Sequence, residues 1–268
     1  MNSLTESTFV TAEMTSGLGE LRFCHPPGTF ALTPASLISL QAIGQHQNLL
    51  SGLGLDWGSG TGCLSIAAAR ISEVRKVVGL EISEANVSAA RENALRNDVA
   101  NKVSFFLSDS YSPKDPVERK RLESLTGQVN FILSNPPSSE GDDGFGYRRV
   151  VLQGARGYLM NDGVVFLSIS SQYGQTRVER LCQDAPGFVY RGILSSTDWV
   201  PFNLSRPDLL HCLHLYSEEE GRGGLEYVFQ DSQEDQQITA RAALACYDRT
   251  GTSPLSKWQT HHFVFRSA

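Results

Sequence analysis

Two short segments of this chain carry residue types whose spacing suits chemistry, and each follows an apolar run. The first reads DWGSGTG at residues 56–62, directly after the run 53–55. Glycine permits a positive φ angle and lets a ligand approach the backbone closely. The alternating glycines differ from the dinucleotide-binding fingerprint, and no Lys-Ser or Lys-Thr follows as in a P-loop. We therefore expect a tight turn between a strand and a helix, with space for a small molecule above it.

An acidic residue ends the next apolar run along the chain. Glu81 follows Val77-Val78-Gly79-Leu80. A carboxylate at the tip of the second strand of such a fold can accept hydrogen bonds from both hydroxyl groups of a ribose. The turn and this acid together predict a ligand that contains a nucleoside.

The second chemical segment is Asn135-Pro136-Pro137, which ends the apolar run 129–133. The two prolines fix φ and remove backbone donors, and Pro136 favours extended geometry at Asn135. An amide oxygen and a nearby backbone carbonyl can accept both N–H bonds of an –NH2 group. Such an arrangement can aim the lone pair of an amine nitrogen at an electrophile, so Asn135 and Pro136 are the candidate catalytic residues.

The elements around these motifs alternate between strands and helices. Apolar strand patterns at 53–57, 76–82, 103–107, 129–133 and 164–169 are separated by helical patterns. This alternation predicts an α/β fold, a Rossmann-like doubly wound sheet of seven mostly parallel strands. Ligands of such sheets bind beyond the carboxyl ends of the strands. We therefore expect Gly58, Glu81, Asp109 and Asn135 to line one crevice.

The two ends of the chain have a different pattern. Residues 1–28 predict an N-terminal β-hairpin extension, and 29–268 predict one domain with a core at 29–187. Residues 188–268 predict the last strands of the sheet with an inserted β-hairpin. The pattern does not indicate the role of the insertion at 195–258. In this part, 217–222 has the composition of a loop, and 233–247 has a helical pattern.

Composition and charge restrict the class of protein. The chain has 268 residues, 40% of them hydrophobic, and a net charge of −6. The charge disfavours a large RNA partner, because nucleic-acid affinity comes mainly from basic side chains. We expect no membrane span and no secretory signal. The five widely spaced cysteines and the absence of a CxxC motif predict free thiols in a reducing compartment, the cytoplasm.

The combined motifs resemble the class I S-adenosylmethionine-dependent methyltransferases, and among these the small-domain family that carries Asn-Pro-Pro. That family includes the glutamine N5-methyltransferases of release factors, the guanine-N2 rRNA methyltransferases and the adenine-N6 tRNA methyltransferases. The segment 27–33, Pro-Gly-Thr-Phe-Ala-Leu-Thr, is similar to the one that precedes the glycine-rich turn there. The resemblance extends over residues 25–185 and implies S-adenosylmethionine as the cofactor.

The resemblance also implies a role for each motif residue. The residues that would contact the cofactor are Phe30, Thr33, Asp56, Gly58, Gly60, Gly62, Glu81, Ile82, Asp109 and Asn135. Within this set, Asp56 would hold the amino group of the cofactor, Glu81 its ribose and Asp109 its adenine. The candidates for acceptor contact are Trp57, Ser138, Phe145 and Tyr147. Three of these residues also have purely structural interpretations, since Thr33 and Asp109 can cap helices and Trp57 can pack in the core.

One departure from the family pattern bears on the acceptor. The family usually has Tyr or Phe after Asn-Pro-Pro, and here the residue is Ser138. The favoured interpretation is an N-methyltransferase of a small-molecule or peptide amide or amine, acting without a metal. The alternatives are an RNA methyltransferase and a non-catalytic cofactor-binding partner subunit. Oxygen and carbon acceptors also stay open, because no motif provides a histidine or lysine base.

Overall fold

The structure, a computed structural model, describes residues 6–29 and 31–267. The strands are β1 (Glu6–Val10), β2 (Leu21–His25), β3 (Gly52–Trp57), β4 (Val74–Glu81), β5 (Val103–Asp109), β6 (Ser112–Pro113), β7 (Val129–Ser134), β8 (Leu159–Ser168), β9 (Phe188–Ser196), β10 (Val200–Pro201), β11 (Phe229–Gln230), β12 (Gln237–Ile238), β13 (Leu255–Ser256) and β14 (Gln259–Phe265). The helices are α1 (Pro34–Gln45), α2 (Cys63–Ala69), α3 (Glu84–Arg96), α4 (Pro116–Glu123), α5 (Gly146–Tyr158), α6 (Gly174–Asp184), α7 (Pro207–Gly221) and α8 (Ala240–Thr250), with single 3-10 turns at Gln47–Leu49 and Ser171–Tyr173.

The central sheet has the strand order β6-β5-β4-β3-β7-β8-β14-β9. Strands β5, β4, β3, β7 and β8 are parallel, and β14 runs antiparallel to both β8 and β9. The predicted Rossmann-like fold is confirmed. The strand count is eight rather than seven, because the two-residue strand β6 pairs with the end of β5. The order reverses between β3 and β7, which is where doubly wound sheets bind ligands.

Both faces of the sheet are covered, which explains why its strands read as continuous apolar runs. In β7, Phe131 and Leu133 belong to a cluster with α1, α2 and α3. Ile132 points to the opposite face and belongs to a second cluster with α5, α6 and the C-terminal segment. The two-residue period of the strand therefore divides one apolar run between two cores.

The predicted N-terminal hairpin is present, and side-chain amides attach it to α3. Strands β1 and β2 pair antiparallel, with Thr8 opposite Phe23. Asn93 accepts from the Cys24 N–H at 2.8 Å and donates to the Cys24 carbonyl at 3.1 Å. Asn97 bonds the Arg22 N–H and carbonyl in the same way, at 2.9 and 2.8 Å. The hairpin thus lies against the helix that follows β4.

The C-terminal insertion is larger than the predicted hairpin. It contains α7, α8 and a four-stranded sheet in the order β10-β13-β11-β12. The prediction of a loop at Ser217–Arg222 is wrong, because α7 continues to Gly221. The acidic run is not a solvated loop, since the Glu220 carboxylate accepts from Ala240 N and Arg241 N at 2.9 Å each and thereby caps α8. The helix predicted from residue 233 begins at Ala240. The division of the chain at residues 28 and 29 stays a prediction.

Candidate active site

The glycine-rich turn joins β3 to α2 with positive φ angles at three positions. The angles are +68° at Gly58, +53° at Gly60 and +88° at Gly62. A Cβ atom at Gly58 or Gly60 would meet nothing within 4 Å, whereas one at Gly62 would lie 2.8 Å from the Phe105 ring. The first two glycines therefore face open space that a ligand can fill. Gly62 is required by packing against the strand behind it, and its contact with the cofactor stays a prediction.

Glu81 lies at the end of β4 and contacts the turn directly. Its Oε2 accepts from the Gly60 N–H at 2.8 Å, and its Oε1 accepts from the Ser83 N–H at 2.8 Å. Oε1 also accepts from Asn86 Nδ2 at 3.3 Å. Each carboxylate oxygen has two lone pairs, so Oε2 can accept another hydrogen bond. The neighbouring Ile82 side chain is 62% exposed, and Asp109 is exposed at the end of the adjacent strand β5. The sheet therefore brings the predicted ribose and adenine residues to one edge.

Asp56 is buried beneath the turn and holds the start of α2. Its Oδ2 accepts from Ser65 N at 2.9 Å and from Ser65 Oγ at 2.7 Å. Burial raises the pKa of Asp56 from 3.8 to about 7, although the hydrogen bonds from Ser65 act in the opposite direction. Among the described residues, its Oδ1 is buried without a hydrogen-bond partner. A buried acceptor of this kind suits an ammonium group, so Asp56 fits its expected role while also capping a helix.

The Asn-Pro-Pro turn follows β7, directly beside β3. Asn135 Nδ2 donates to Ser36 Oγ at 3.4 Å. Ser36 belongs to the capping box of α1, in which Thr33 Oγ1 accepts from the Ser36 N–H at 3.2 Å. Because the amide NH2 group faces Ser36, the Asn135 oxygen is left to accept a bond from another group. Ser36 was missed in the sequence, since its only signal was its place three residues after an N-cap threonine.

A buried arginine lies behind the same turn and was also missed. Arg148 donates to the backbone carbonyls of Pro136 and Pro137, at 3.5 and 3.3 Å. It belongs to α5, the helix that follows the loop after the turn. Its sequence signal is weak, because an arginine in a helix is ordinarily assigned to the solvent-facing side.

The predicted acceptor-contact residues divide between surface and core. Trp57 is buried in the core cluster, with 9% exposure. Its ring centroid lies 6.2 Å from that of Tyr147, whose side chain is 43% exposed. Ser138 is partly exposed beside the turn. The prediction for Phe145 needs correction, because its side chain is fully buried and packs edge-on against Tyr173 at 5.0 Å. Phe145 anchors the start of α5 and has no exposed ring for an acceptor.

The loop that follows Asn-Pro-Pro is rich in acidic residues. The loop after Asn-Pro-Pro carries Glu140, Asp142 and Asp143, and it packs near the C-terminal end of α7. A cavity of about 170 Å³ lies between the loop and the helix, and Asp142 and Glu219 contribute to its wall. Asp143 pairs with Arg149 at 2.6 Å. Arg222 also contributes to the cavity wall, so acidic and basic side chains meet in this part of the surface.

Three expectations concern residues or groups outside this geometry. Phe30 lies outside the described residues, so its predicted contact with the cofactor stays a prediction. Within residues 6–29 and 31–267, no group of three or more His, Cys, Asp or Glu side chains is arranged to hold a metal ion. None of the helices in that part of the chain is long and apolar enough to cross a membrane.

Comparison with known proteins identifies the family. Residues 20–184 match the family described as methyltransferase small domain. The release factor glutamine methyltransferase of Thermodesulfovibrio yellowstonii is 26% identical over 160 residues, which cover 53% of this chain and 56% of that protein. A putative protein N5-glutamine methyltransferase of Methanocaldococcus jannaschii is 33% identical over 138 residues, which cover 45% of this chain and 63% of that one.

A solved structure agrees with this result. The 16S rRNA N2 G1207 methyltransferase of T. thermophilus, in complex with AdoMet and guanosine, superposes with a TM-score of 0.54 and 25% identity. The match covers 70% of this chain and 47% of that one. The chain belongs to the methyltransferase small domain family. The predicted enzyme class, S-adenosylmethionine-dependent methyltransferase, and the predicted cofactor are confirmed. The chain spans about half to two thirds of the length of the two curated relatives.

Proposed function

We propose that this protein transfers a methyl group to a nitrogen atom, and that the acceptor is the side-chain amide of a glutamine in a polypeptide. The observation that carries the proposal is the orientation of Asn135 at the carboxyl end of β7. Its NH2 group donates to Ser36 Oγ, so its oxygen is available to an N–H donor. Two relatives named for glutamine methylation support the choice of an amide.

The residues of the chain act mainly by positioning the two reactants. The bound cofactor supplies a methyl group on a positively charged sulfur, which is already reactive. Gly58 and Gly60 leave open space for it. Glu81 would hold its ribose, and the exposed Ile82 side chain would pack against its adenine. Asp56 has a buried oxygen that would pair with its amino group.

At the acceptor, the Asn135 oxygen accepts one N–H bond from the amide nitrogen. This bond turns the nitrogen lone pair toward the methyl carbon. In the transfer, a C–N bond would form as the carbon–sulfur bond breaks. The electron pair of the broken bond would remain on sulfur, and the nitrogen would release one proton to solvent. Alignment of this kind can supply a large part of a rate enhancement without a protein base. The exposed Tyr147 ring and Ser138 lie beside the acceptor path.

Charge favours a polypeptide over RNA as the acceptor. The chain has a net charge of −6. RNA affinity depends on the neutralisation of phosphate groups by basic side chains, and a negative net charge opposes it. The five cysteines have free thiols, which is consistent with a protein that acts in a reducing compartment such as the cytoplasm.

A labelling experiment tests the proposal. Tritiated S-adenosylmethionine is incubated with the protein and a synthetic peptide containing one Gln, with the same peptide carrying Asn as a matched control. Total tRNA and rRNA are tested in parallel. We expect label in the Gln peptide alone, and mass spectrometry should locate one added methyl group on the side-chain amide. Label in RNA alone would support the RNA alternative, and cofactor binding without transfer to any of these acceptors would support a non-catalytic partner subunit.

A further inference from the structure

Arg148 is a buried cation that holds four backbone carbonyls around the Asn-Pro-Pro turn. Its side chain is 4% exposed. Nε donates to the Ser168 carbonyl at 3.2 Å, and Nη1 donates to the carbonyls of Pro137 and Gly144 at 3.3 and 3.0 Å. Nη2 donates to the Pro136 carbonyl at 3.5 Å. One guanidinium therefore connects the turn, the end of the loop that follows it and the end of β8.

The charge of Arg148 is compensated by carbonyls and rings rather than by an acid. None of the ion pairs within the described residues includes this arginine. Its guanidinium lies 5.2 Å from the Phe145 ring centroid and 4.7 Å from that of Tyr173. Removing a cation from water is costly, and an apolar side chain could fill the same space. The bonds to the carbonyls are what the cation adds.

The turn needs an external donor because of its own composition. Pro136 and Pro137 have no N–H group, so neither can close the turn with a backbone hydrogen bond. The planar fork of an arginine has five donors in fixed directions, which a lysine ammonium cannot reproduce. We propose that Arg148 is a positioning residue that fixes the Asn-Pro-Pro turn and thereby the direction of the Asn135 side chain. The inference rests on the proposed function, because it assigns Asn135 to the acceptor.

A second buried arginine provides a matched control. Arg177 is 1% exposed and donates to the carbonyls of Tyr173 and Glu226 at 3.0 and 2.8 Å. Its guanidinium lies 3.8 Å from the Tyr227 ring centroid. It shares the burial, the carbonyl bonds and a tyrosine contact with Arg148, and it differs in also pairing with Glu219 at 3.3 Å. Its bonds join α6 to the C-terminal insertion rather than to the Asn-Pro-Pro turn. A general loss of stability should therefore affect Arg148→Lys and Arg177→Lys alike.

The first test measures kinetics with the single-Gln peptide as the probe. We expect Arg148→Lys to keep the cofactor Kd within about twofold and to lower kcat by about tenfold or more, since small misplacement of reacting groups costs that much. KM for the peptide should change less than kcat. Arg177→Lys should keep the wild-type kcat per folded molecule. Equal kcat values for Arg148→Lys and wild type would overturn the proposal.

The second test does not depend on methyl transfer. Amide hydrogen exchange of the cofactor-free protein should become faster at 138–146 in Arg148→Lys, and at 222–228 rather than 138–146 in Arg177→Lys. Unchanged exchange at 138–146 in Arg148→Lys would overturn the positioning role even if the peptide is a good substrate. If exchange responds as expected but wild type does not methylate the peptide, the proposed acceptor fails while the role of Arg148 in holding the turn stands. Arg148→Gln provides the same comparison if the lysine variant does not fold.

Discussion

Alanine at Gly58 should mainly weaken cofactor binding and alanine at Gly62 should mainly lower stability, although the two glycines lie in one turn. Both have positive φ angles, +68° and +88°. A methyl group at Gly58 would enter open space where the cofactor is expected, and one at Gly62 would meet the Phe105 ring at 2.8 Å and Ala90 Cβ at 3.1 Å. Gly58→Ala therefore tests ligand space, and Gly62→Ala tests packing.

The structure gives the expected magnitudes. A left-handed backbone costs an alanine about 1–2 kcal/mol, and this applies to both variants. Overpacking a close contact adds about 1–3 kcal/mol, and this applies to Gly62→Ala alone. The free energy of unfolding should thus fall by about 1–2 kcal/mol in Gly58→Ala and by about 2–5 kcal/mol in Gly62→Ala. In Gly58→Ala the cofactor should bind about tenfold or more weakly, which corresponds to about 1.4 kcal/mol.

Two measurements separate the effects. Urea unfolding without cofactor gives the stability of each variant, and titration calorimetry with S-adenosylmethionine gives the affinity of the folded protein. Wild-type affinity in Gly58→Ala would show that the cofactor does not pass over this glycine. A stability loss in Gly58→Ala as large as that in Gly62→Ala would show that the space above the turn is not open.

Three further predictions concern Glu81, Asp56 and Ser36. Glu81→Gln should weaken cofactor binding by about 1–3 kcal/mol, the usual contribution of a charged acceptor, and calorimetry showing unchanged affinity would remove Glu81 from the site. Because the pKa of Asp56 is about 7 in the folded protein and 3.8 ordinarily, the native state retains a proton that the unfolded chain releases between these values. The free energy of unfolding of wild type should therefore fall from pH 4 to pH 7, by at most about 1.4 kcal/mol per pH unit, through this one group. Asp56→Asn lacks the group, so its free energy of unfolding relative to wild type should rise over the same range. A difference between the two proteins that does not change with pH in urea melts would contradict the raised pKa. Ser36→Ala should lower stability by about 1 kcal/mol, because Ser36 Oγ no longer accepts from the Thr33 N–H in the capping box, and it should lower kcat on the Gln peptide at unchanged cofactor affinity. Thr239→Ala, which removes the N-cap side chain of α8, should lower stability alone. Equal kcat in both variants would show that Ser36 does not orient Asn135.

Much of the fold follows from local pattern. The glycine-rich turn, the acid after β4 and the Asn-Pro-Pro turn each follow an apolar strand, and parallel strands place their carboxyl ends at one edge. These residues come together for that reason. The last turn of α7 was not predicted, because three consecutive glutamates, Glu218, Glu219 and Glu220, suggest a solvated loop. Glu219 instead pairs with the buried Arg177. Glu220 caps a helix that lies 20 residues further along the chain.

The remaining parts of the site depend on contacts that no local pattern reveals. Ser36 and Asn135 are separated by 99 residues, and their bond exists only because α1 packs beside the end of β7. Arg148 carries no sign in the sequence that its charge is buried. Phe145 was predicted to contact the acceptor because it is an aromatic residue near Asn-Pro-Pro. In the structure, the turn into α5 directs its ring into the core.

The central claim is that Asn135 holds the methyl acceptor while the other residues hold the cofactor. Single-turnover methyl transfer to the Gln peptide, measured for wild type and Asn135→Ala at saturating S-adenosylmethionine, tests it most directly. We predict that Asn135→Ala binds the cofactor with nearly wild-type affinity and transfers the methyl group about a hundredfold more slowly or worse, as expected when precise positioning is lost. Equal transfer rates for the two proteins would contradict the proposed site and its mechanism.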